Sequence, residues 1–363
     1  MSEATGILPA QDIAALHQAG GIRLAMPFAP DQIQPASLDL RLGTTAYRIR
    51  ASFLPGPGVT VAERLKELTL HAFPLTDGAV LETGCVYLVP LVERLILPDE
   101  ISATANPKSS TGRLDVFTRV IVDGSAAFDT IPAGYGGPLY AEISPRTFPV
   151  LVRTGSRLSQ IRFRRGHALL SDAELAAVDA AETLARPGPA VIRDGLHLSI
   201  DLAGSGPDNL VGWRARKYSA VVDVDAKAAC AVADFWEPIP ARPEGRLILD
   251  PDAFYILVSR EAVHVPPMTA AEMVPFDPLV GEFRVHYAGF FDPGFGHGPS
   301  GGGGARAVLE VRNHEVPFLL NHGQVIGRLV YERMAARPQT LYGAGIGSNY
   351  QAQGLKLSKH FRA

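Results

Sequence analysis

The chain has 363 residues, which is long enough for two domains that each bury a core of their own. Hydrophobic residues make up 47% of it and charged residues 20%, and its 36 Gly and 29 Pro favour many short elements joined by tight turns over a helical bundle. The formal net charge is -3, and no basic run exceeds the pair Arg164-Arg165. The composition therefore argues against a nucleic-acid polymer as partner but allows a small anionic ligand.

Signals for export, membrane insertion and disulfide formation are missing from the sequence. Its first residues show no basic stretch followed by an apolar one, and no apolar run approaches the roughly 18 residues of a membrane span. Only Cys85 and Cys230 occur, so we expect neither a disulfide framework nor a Cys-x-x-Cys metal pair. The sequence predicts a soluble, cytoplasmic protein that does not bind membranes.

Short elements are predicted along the first part of the chain. A helix begins with Pro9 in its first turn and is closed by Gly20 and Gly21. The stretches that follow, such as residues 118–122 and, farther on, 284–287, are short, β-branched or aromatic, and bounded by Gly, Pro or Asp. Such stretches predict strands.

A second helix is predicted near the middle of the chain. Ser171 and Glu174 have the spacing of a capping box, Ala and Leu fill the interior, and Pro187 stops the helix. We interpret this helix as the connection between two domains, residues 1–186 and residues 187–363.

The two predicted domains repeat one another. Residues 86–107 align without a gap on residues 254–275, with Tyr on Tyr and Glu on Glu, at an offset of 168. A later stretch keeps this offset and places Glu142 on Glu310. Agreement at one register over so many positions indicates two copies of one fold.

A cluster of hydrogen-bond donors lies within residues 106–113, Asn-Pro-Lys-Ser-Ser-Thr-Gly-Arg. Lys108 stands beside the hydroxyls of Ser109 and Ser110, and Arg113 follows four residues after Ser109. This concentration of donors and positive charge suits a phosphate chain or a held water molecule. On spacing alone, a solvated turn after a strand explains the stretch equally well.

Together with Ile-Gln-Pro-Ala-Ser-Leu-Asp-Leu-Arg-Leu-Gly at residues 33–43, this cluster resembles the dCTP deaminase family, whose members carry Q-P-A-S-x-D-L-R-L-G and R/K-S-S-x-x-R. Further marks of the family are I-D-P-G-W, V-L-E-F-Y-N and a C-terminal tail with Tyr and Y-x-x-Q. The resemblance covers nearly the whole chain when each half is compared separately. It implies a bimodular member with a mainly β fold, two tandem dUTPase-like (β-clip, jelly-roll-like) domains with a few short helices, and a homo-oligomer, either dimer or trimer.

The family's residues map unequally onto the two halves. In the first half Pro132 replaces the acidic residue expected at the sugar, although Glu142 keeps its place. In the second half Asp292 keeps the acid, and the stretch from residue 308, which contains Glu310 and Asn313, matches V-L-E-F-Y-N better. Taken singly, Asp292 is also explained as a turn residue and Glu310 as a solvent-facing strand residue.

The second half has lost the donors, since the aligned positions hold Phe276, Asp277 and Gly281. It alone has the tail, in which Tyr342 and Gln353 are spaced like the family's nucleotide-covering residues. In the family, one subunit gives the Ser and Arg of a site, and its neighbour gives the acid, the Glu and the tail. The resemblance thus implies that the first half supplies Lys108, Ser109, Ser110 and Arg113, and the second half Asp292, Glu310, Asn313, Tyr342 and Gln353.

The implied reaction is hydrolysis of dCTP to dUTP and ammonia without zinc, because the H-x-E and P-C-x-x-C motifs of zinc deaminases are absent. Glu310 is the expected proton shuttle, with Glu142 as second choice. Ser109 and Arg113 are expected to position water and stabilise charge. Lys108 and Ser110 are expected to bind the triphosphate, and Asp292 to recognise the sugar 3′-hydroxyl. Mg²⁺ is expected to be carried by the nucleotide.

The histidines and a Gly-rich run receive no catalytic role. The histidines lack the spacing of metal ligands, so surface or packing positions are expected for His264, His286, His297, His314 and His322. The Gly-rich run at residues 294–304 is interpreted as a hairpin tip, with a flap over the nucleotide as the alternative.

Two other functions stay open at this stage. One is a dUTPase or a bifunctional dCTP deaminase/dUTPase, because residues 133–136, Ala-Gly-Tyr-Gly, resemble the dUTPase sugar motif, although Pro132 replaces its acid. The other is a non-catalytic nucleotide-binding protein, which is favoured if the two halves do not face each other. Whether the two parts of a site belong to one chain or to neighbouring chains is also open.

Overall fold

The computed structural model describes residues 4–204, 208–275, 284–285, 289–298, 303–313, 315–343 and 354–362. The chain is mainly β with a few short helices, as predicted. The elements of its first half are, in chain order, β1 (Gly6–Ile7), α1 (Ala10–Gln18), β2 (Ile22–Leu24), β3 (Ile33–Gln34), β4 (Ser37–Leu40), β5 (Thr45–Ile49), α2 (Val61–Leu68), β6 (Thr69–Pro74), β7 (Ala79–Leu81), β8 (Val86–Ile96), β9 (Ile101–Pro107), α3 (Ser109–Gly112), β10 (Val116–Val122), β11 (Thr130–Ile131), β12 (Gly136–Pro145), β13 (Val150–Val152), β14 (Ser159–Arg165), α4 (Asp172–Glu182) and β15 (Ala185–Arg186).

In the second half, every described element except the short helix α5 is a strand. Its elements are β16 (Leu196–Ser199), β17 (Leu210–Ala215), β18 (Val222–Asp223), β19 (Cys230–Ala231), α5 (Val232–Phe235), β20 (Trp236–Pro240), β21 (Arg246–Leu249), β22 (Phe254–Val263), β23 (Thr269–Pro275), β24 (Arg284–Val285), β25 (Phe290–Phe291), β26 (Ala305–Arg312), β27 (Phe318–Asn321), β28 (Val325–Arg333) and β29 (Phe361–Arg362).

Each half contains two main sheets. In the first half the strand orders are β11-β9-β14-β4-β3 and β10-β12-β8-β5-β6, with β1 added to β14 and β2 to β8. In the second half they are β20-β17-β22-β26-β24 and β16-β28-β23-β25, with β15 added to β22. Strand pairing joins the halves, because β15 pairs with β22 and β18 pairs in parallel with β13.

The internal repeat is confirmed at the level of strand pairing. Strand β12 pairs with β8 so that Glu142 lies opposite Leu88, and β26 pairs with β22 so that Glu310 lies opposite Ile256. Both pairs of partners are related by the offset of 168. The pairing of β14 with β9 likewise returns as that of β28 with β23. Glu142 and Glu310 are therefore equivalent positions of one repeated fold.

The alternation of side chains on β26 explains how a residue of the second half faces the first. Ala307, Leu309 and Val311 pack into the core of the second half. Because side chains of a strand alternate between its two faces, Val308 and Glu310 point the other way. Val308 belongs to the larger core cluster, most of which comes from the first half.

Aromatic and polar contacts also hold the halves together. The Phe148 ring of the first half packs edge-on against Trp236 and Phe361 of the second, with ring centroids 5.4 and 6.3 Å apart. Burial of one such side chain contributes ~2 kcal/mol. Asn106 donates a 2.8 Å hydrogen bond to Glu272 across the same interface. The two halves therefore face each other.

The predicted helices are present. Helix α1 follows Pro9, and α4 follows Ser171, which forms the predicted capping box with Glu174. A second capping box, between Thr60 and Glu63, begins α2, which the sequence analysis did not predict. Among the described residues, no helix is long and apolar enough to span a membrane.

Candidate active site

A cavity of about 400 Å³ lies between the two halves of the chain. Both halves contribute to its walls, so a single chain brings residues of both predicted parts of the site to one cavity. The predicted site residues that line the cavity are Lys108, Ser109, Ser110, Arg113, Asp292, Glu310 and Tyr342.

The donor wall is formed where β9 ends. Pro107 closes the strand, Lys108 precedes the single turn of α3, and Arg113 follows that turn. The C-terminal segment, residues 354–362, fixes this wall: Arg113 donates a 2.9 Å hydrogen bond to the Lys356 carbonyl, and the Ser358 hydroxyl donates one of 2.8 Å to the Ser110 carbonyl. The guanidinium is thus held in one place before any ligand binds.

Glu310 faces Arg113 across the boundary between the halves. The Arg113 Nε lies 3.7 Å from the Glu310 Oε1, and the two residues are only 3% and 5% exposed. Burial raises the pKa of the Glu310 carboxyl from 4.5 to about 7, although the Arg113 charge acts in the opposite direction. A carboxyl with a pKa near neutrality can both take up and release a proton at physiological pH.

Asp292 is held by an arginine that the sequence analysis missed. The fully buried Arg162 of β14 places its Nη2 3.3 Å from the Asp292 Oδ1, and its Nη1 donates to the Ala271 carbonyl at 3.1 Å. Its guanidinium also stacks 4.0 Å from the centre of the Phe290 ring. Burial raises the pKa of Asp292 while the Arg162 charge opposes the rise. A charged residue within the apolar alternation of β14 was the available sequence signal for Arg162.

Further cations of the cavity were also missed. Lys108 bonds Asp39, which Arg157 approaches to 3.4 Å from the other side. Lys227 and Lys359 line the same cavity. The pKa of Lys359 is lowered, first by burial and then by repulsion from Lys108 and Lys227, so its ammonium group lies within electrostatic range of both. Such a concentration of positive charge suits a polyanionic ligand.

Glu142, the second choice for the proton shuttle, lies elsewhere. Its Oε1 accepts hydrogen bonds from Arg119 Nη2 at 2.5 Å and from Nε at 3.2 Å. Arg119 also donates to the Ser52 hydroxyl and covers the Phe128 ring. Glu142 is therefore part of an ion pair within the first half, and it does not line the cavity.

Among the described residues, the predicted nucleotide contact Asn313 does not line the cavity. Asn313 is fully buried and donates to the carbonyls of Leu249 and Val316, so the structure gives it a local role at the end of β26. Gln353 lies outside the described residues. Tyr135, from the stretch that resembles the dUTPase sugar motif, bonds Pro138 and does not line the cavity either.

Two histidines that were expected only at surface or packing positions lie in direct contact with each other. His264 and His297, 33 positions apart, lie with Nε2 and Nδ1 2.8 Å from each other. His322 accepts a hydrogen bond from the Leu202 amide, which is a packing role. His286 and His314 lie outside the described residues, as do residues 299–302 of the Gly-rich run.

The arrangement combines a buried carboxyl that titrates near pH 7, an adjacent guanidinium, a serine hydroxyl and several cations. This set can activate a water molecule, move protons and hold an anionic group. Because Arg113 and Glu310 face each other, the condition that favoured a non-catalytic protein is not met.

Two family models match the chain. Residues 4–167 match the "2'-deoxycytidine 5'-triphosphate deaminase (DCD) N-terminal domain", and residues 171–361 match the "C-terminal domain" of the same family. A crystal structure described as 2'-deoxycytidine 5'-triphosphate deaminase from Agrobacterium tumefaciens is 64% identical, with a TM-score of 0.88, and the alignment covers 92% of this chain and 100% of that one.

Shorter relatives match part of the chain. The dCTP deaminase of Halorubrum lacusprofundi is 31% identical over 134 residues, which are 36% of this chain and 63% of the relative. The "dCTP deaminase, dUMP-forming" of Streptomyces griseus is 31% identical over 157 residues, which are 43% of this chain and 78% of the relative. With both family models and a full-length structural match, the chain belongs to the dCTP deaminase family of enzymes.

Proposed function

We propose that this enzyme is a hydrolase that deaminates dCTP to dUTP and ammonia, with Glu310 as its proton shuttle. The observation that carries the proposal is the placement of Glu310. The carboxyl is buried, its pKa is raised to about 7, and it faces Arg113 in a cavity lined with cations.

The chemistry follows from these groups. The ionised Glu310 takes a proton from the water that attacks C4 of cytosine and gives it to N3. The same carboxylate then takes the proton of the new C4 hydroxyl and gives it to the departing amine, so that the C4 carbonyl forms as ammonia leaves. Ser109 and Arg113 position the water and stabilise the charge that develops on the base, each contributing ~3 kcal/mol as a preorganised donor. One water is consumed and one ammonia is released for each dCTP.

The remaining cavity residues bind the nucleotide. Lys108 and Ser110 contact the triphosphate, which carries Mg²⁺ into the site, since Mg²⁺ prefers phosphate oxygens and water as ligands. Asp292 accepts the 3′-hydroxyl of the deoxyribose. Tyr342 covers the nucleotide, and Gln353 remains a predicted part of this cover.

We propose that the reaction does not use zinc. Of the described residues that line the cavity none is His or Cys, the side chains that zinc prefers. In this proposal Glu310, rather than a metal ion, activates the water.

A second product is supported by the names of relatives. Several proteins that are about one-third identical to part of the chain, such as those of Streptomyces griseus and Clavibacter michiganensis, are named dUMP-forming. A bifunctional enzyme would deaminate dCTP and then release pyrophosphate from bound dUTP.

One experiment separates these functions. The enzyme is incubated with dCTP and, separately, with dUTP, and ammonia and pyrophosphate are followed independently. A deaminase releases ammonia alone, and from dCTP alone. Equal amounts of pyrophosphate and ammonia from dCTP would show the bifunctional reaction, and release of neither product would overturn both proposals.

A further inference from the structure

A second cavity, of about 250 Å³, lies beside the C-terminal end of α4. Its walls include Glu182, His264 and His297, and none of its lining residues lines the candidate active site. The reaction proposed above leaves these three side chains without a role. They come from three separate segments that only the fold brings together.

The potential ligand atoms of the three side chains all lie within 4.8 Å of one another. The His264 Nε2 is 2.8 Å from the His297 Nδ1 and 3.8 Å from the Glu182 Oε2. A tetrahedral zinc ion, bound at about 2.1 Å by nitrogen and oxygen, separates its ligand atoms by ~3.3 Å. Small side-chain rotations therefore convert the observed distances into coordination distances.

The orientation of His264 is fixed in the form that binds metals. Its Nδ1 lies 3.1 Å from the Glu182 carbonyl oxygen. A carbonyl oxygen can only accept, so Nδ1 carries the proton and Nε2 of the neutral ring offers a lone pair to His297 and the cavity. Metal-bound histidines commonly have this bond to a backbone carbonyl, because it fixes both tautomer and ring orientation.

The backbone around His297 is built for close approach. Gly296 has φ +68°, and a Cβ there would lie 2.1 Å from the Val263 carbonyl oxygen. Only glycine permits this contact. The His297 amide then donates to the Gly294 carbonyl, which closes the turn and sets the imidazole against His264.

We propose that Glu182, His264 and His297 bind one divalent transition-metal ion, with zinc as the representative ion. Two imidazoles and one carboxylate suit Zn²⁺, Co²⁺ or Ni²⁺ better than Mg²⁺, which prefers oxygen ligands. Water completes the coordination. The ion ties the turn at residues 294–297 to the end of α4, outside the catalytic cavity.

The test is metal binding by the full chain after removal of metals with a chelator. Equilibrium dialysis measures the stoichiometry of Zn²⁺, and the visible absorption of Co²⁺ reports coordination by nitrogen and oxygen. The wild-type protein is expected to bind one equivalent of either ion, and to melt at a higher temperature with Zn²⁺ than with Mg²⁺.

Three variants locate the site. His297→Ala is expected to abolish Zn²⁺ binding, and Glu182→Gln to weaken it at least ~10-fold. His71→Ala is the matched control, because it removes an exposed histidine that does not line the second cavity. This variant should bind Zn²⁺ as the wild type does. Glu182→Gln should fold even if His297→Ala does not, because Glu182 is exposed and its backbone carbonyl can still bond His264. Zn²⁺ binding by Glu182→Gln then tests the proposal. Wild-type affinity in Glu182→Gln, or no binding by the wild type, overturns the proposal.

Discussion

Two glutamates at equivalent positions of the repeat have different surroundings. Glu142 is paired closely with Arg119 and lies apart from the cavity. Glu310 is 3.7 Å from its nearest cation and lines the cavity, and burial raises its pKa to about 7. The strand positions are the same, so the difference comes from what covers each strand: Ser52 and Phe128 near one, and the opposite half near the other.

The first prediction separates the two glutamates. Glu310→Gln keeps the side-chain shape but removes the basic oxygen, so kcat should fall ~100-fold or more while dCTP still binds. Glu142→Gln should leave kcat within about twofold and lower the free energy of unfolding by about 1–3 kcal/mol, because Arg119 loses its charged partner. Steady-state kinetics and urea denaturation measure both. An inactive Glu142→Gln beside an active Glu310→Gln would reverse the assignment.

The second prediction concerns pH. The shuttle must begin as a carboxylate, and the pKa of Glu310 in the folded enzyme is about 7. The value of kcat/KM for dCTP should therefore fall as the pH drops below about 7, with the slope of a single proton. The residual activity of Glu310→Gln should lack this dependence.

Stability supplies an independent check of the same pKa. The folded pKa is raised above the ordinary 4.5, so the stabilisation that protonated Glu310 gives is present below pH 4.5 and lost as the pH rises through about 7. Glu310→Gln should thus be more stable than the wild type by ~3 kcal/mol at pH 8, and equally stable near pH 4. Urea denaturation at both pH values measures this, and a difference that does not depend on pH would contradict the raised pKa.

At the residue scale, the sequence predicted the residues that belong to motifs. Lys108, Ser109, Arg113, Asp292 and Glu310 lie in recognisable stretches, and all line one cavity. It missed residues whose role comes from tertiary contacts, such as the buried Arg162, and it assigned to the nucleotide an asparagine that bonds the backbone. The charged residue within the apolar alternation of β14 marked Arg162 as unusual but could not identify its partners, which are distant in sequence.

At the element scale, β14 connects the core of the first half to Asp292, an acid of the second half that lines the cavity. Ile161 and Phe163 point into the core, so Arg162 and Arg164 point toward the second half. Both approach Glu332 of β28, at 3.6 and 2.9 Å, but Arg162 alone of the two also pairs with Asp292 within the described contacts. The two arginines thus form a matched pair for mutation.

The third prediction uses this pair. Arg162→Met leaves Asp292 buried without its cation, so the carboxylate loses its fixed position and KM for dCTP should rise at least ~10-fold, with a smaller change in kcat. Arg164→Met should change KM by less than about twofold. The kinetic constants of both variants, with their circular dichroism spectra, provide the measurement.

Asp292→Asn tests the same ion pair from its other side and keeps the Arg162 side chain. The KM effect should reappear in this variant, because the sugar hydroxyl loses the charged carboxylate and meets the weaker, neutral amide oxygen of asparagine. An unchanged KM in both Arg162→Met and Asp292→Asn would mean that Asp292 does not contribute to nucleotide binding.

Helices and strands could be predicted where a short stretch of sequence contains a clear signal. The capping box at Ser171 and the repeated strand pattern identified α4 and the equivalent strands β8 and β22. Helix α2 begins with the same kind of capping box, between Thr60 and Glu63, so the signal that identified α4 was also present there, although the sequence analysis did not use it.

At the scale of the whole molecule, the two halves contribute different kinds of side chain to one cavity. The donors of the first half and the acids of the second line one cavity within a single chain. The sequence could show that the losses are complementary but not that the parts meet in one chain, because the docking of the halves depends on the contacts of Phe148, Trp236 and Phe361 and of β13 with β18. The homo-oligomer stays a prediction.

The last prediction tests this division of labour by mixing two inactive chains. If every site takes Arg113 and Glu310 from the same chain, each site in a mixture of Arg113→Ala and Glu310→Gln still lacks one of them. Co-refolding the two variants, which allows any oligomer to exchange chains, should therefore release no more ammonia than the sum of the separate variants. The wild-type chain, refolded in the same way, is the control for recovery. Activity that rises well above the sum would mean that sites form between chains, and that the cavity within one chain is not the working site.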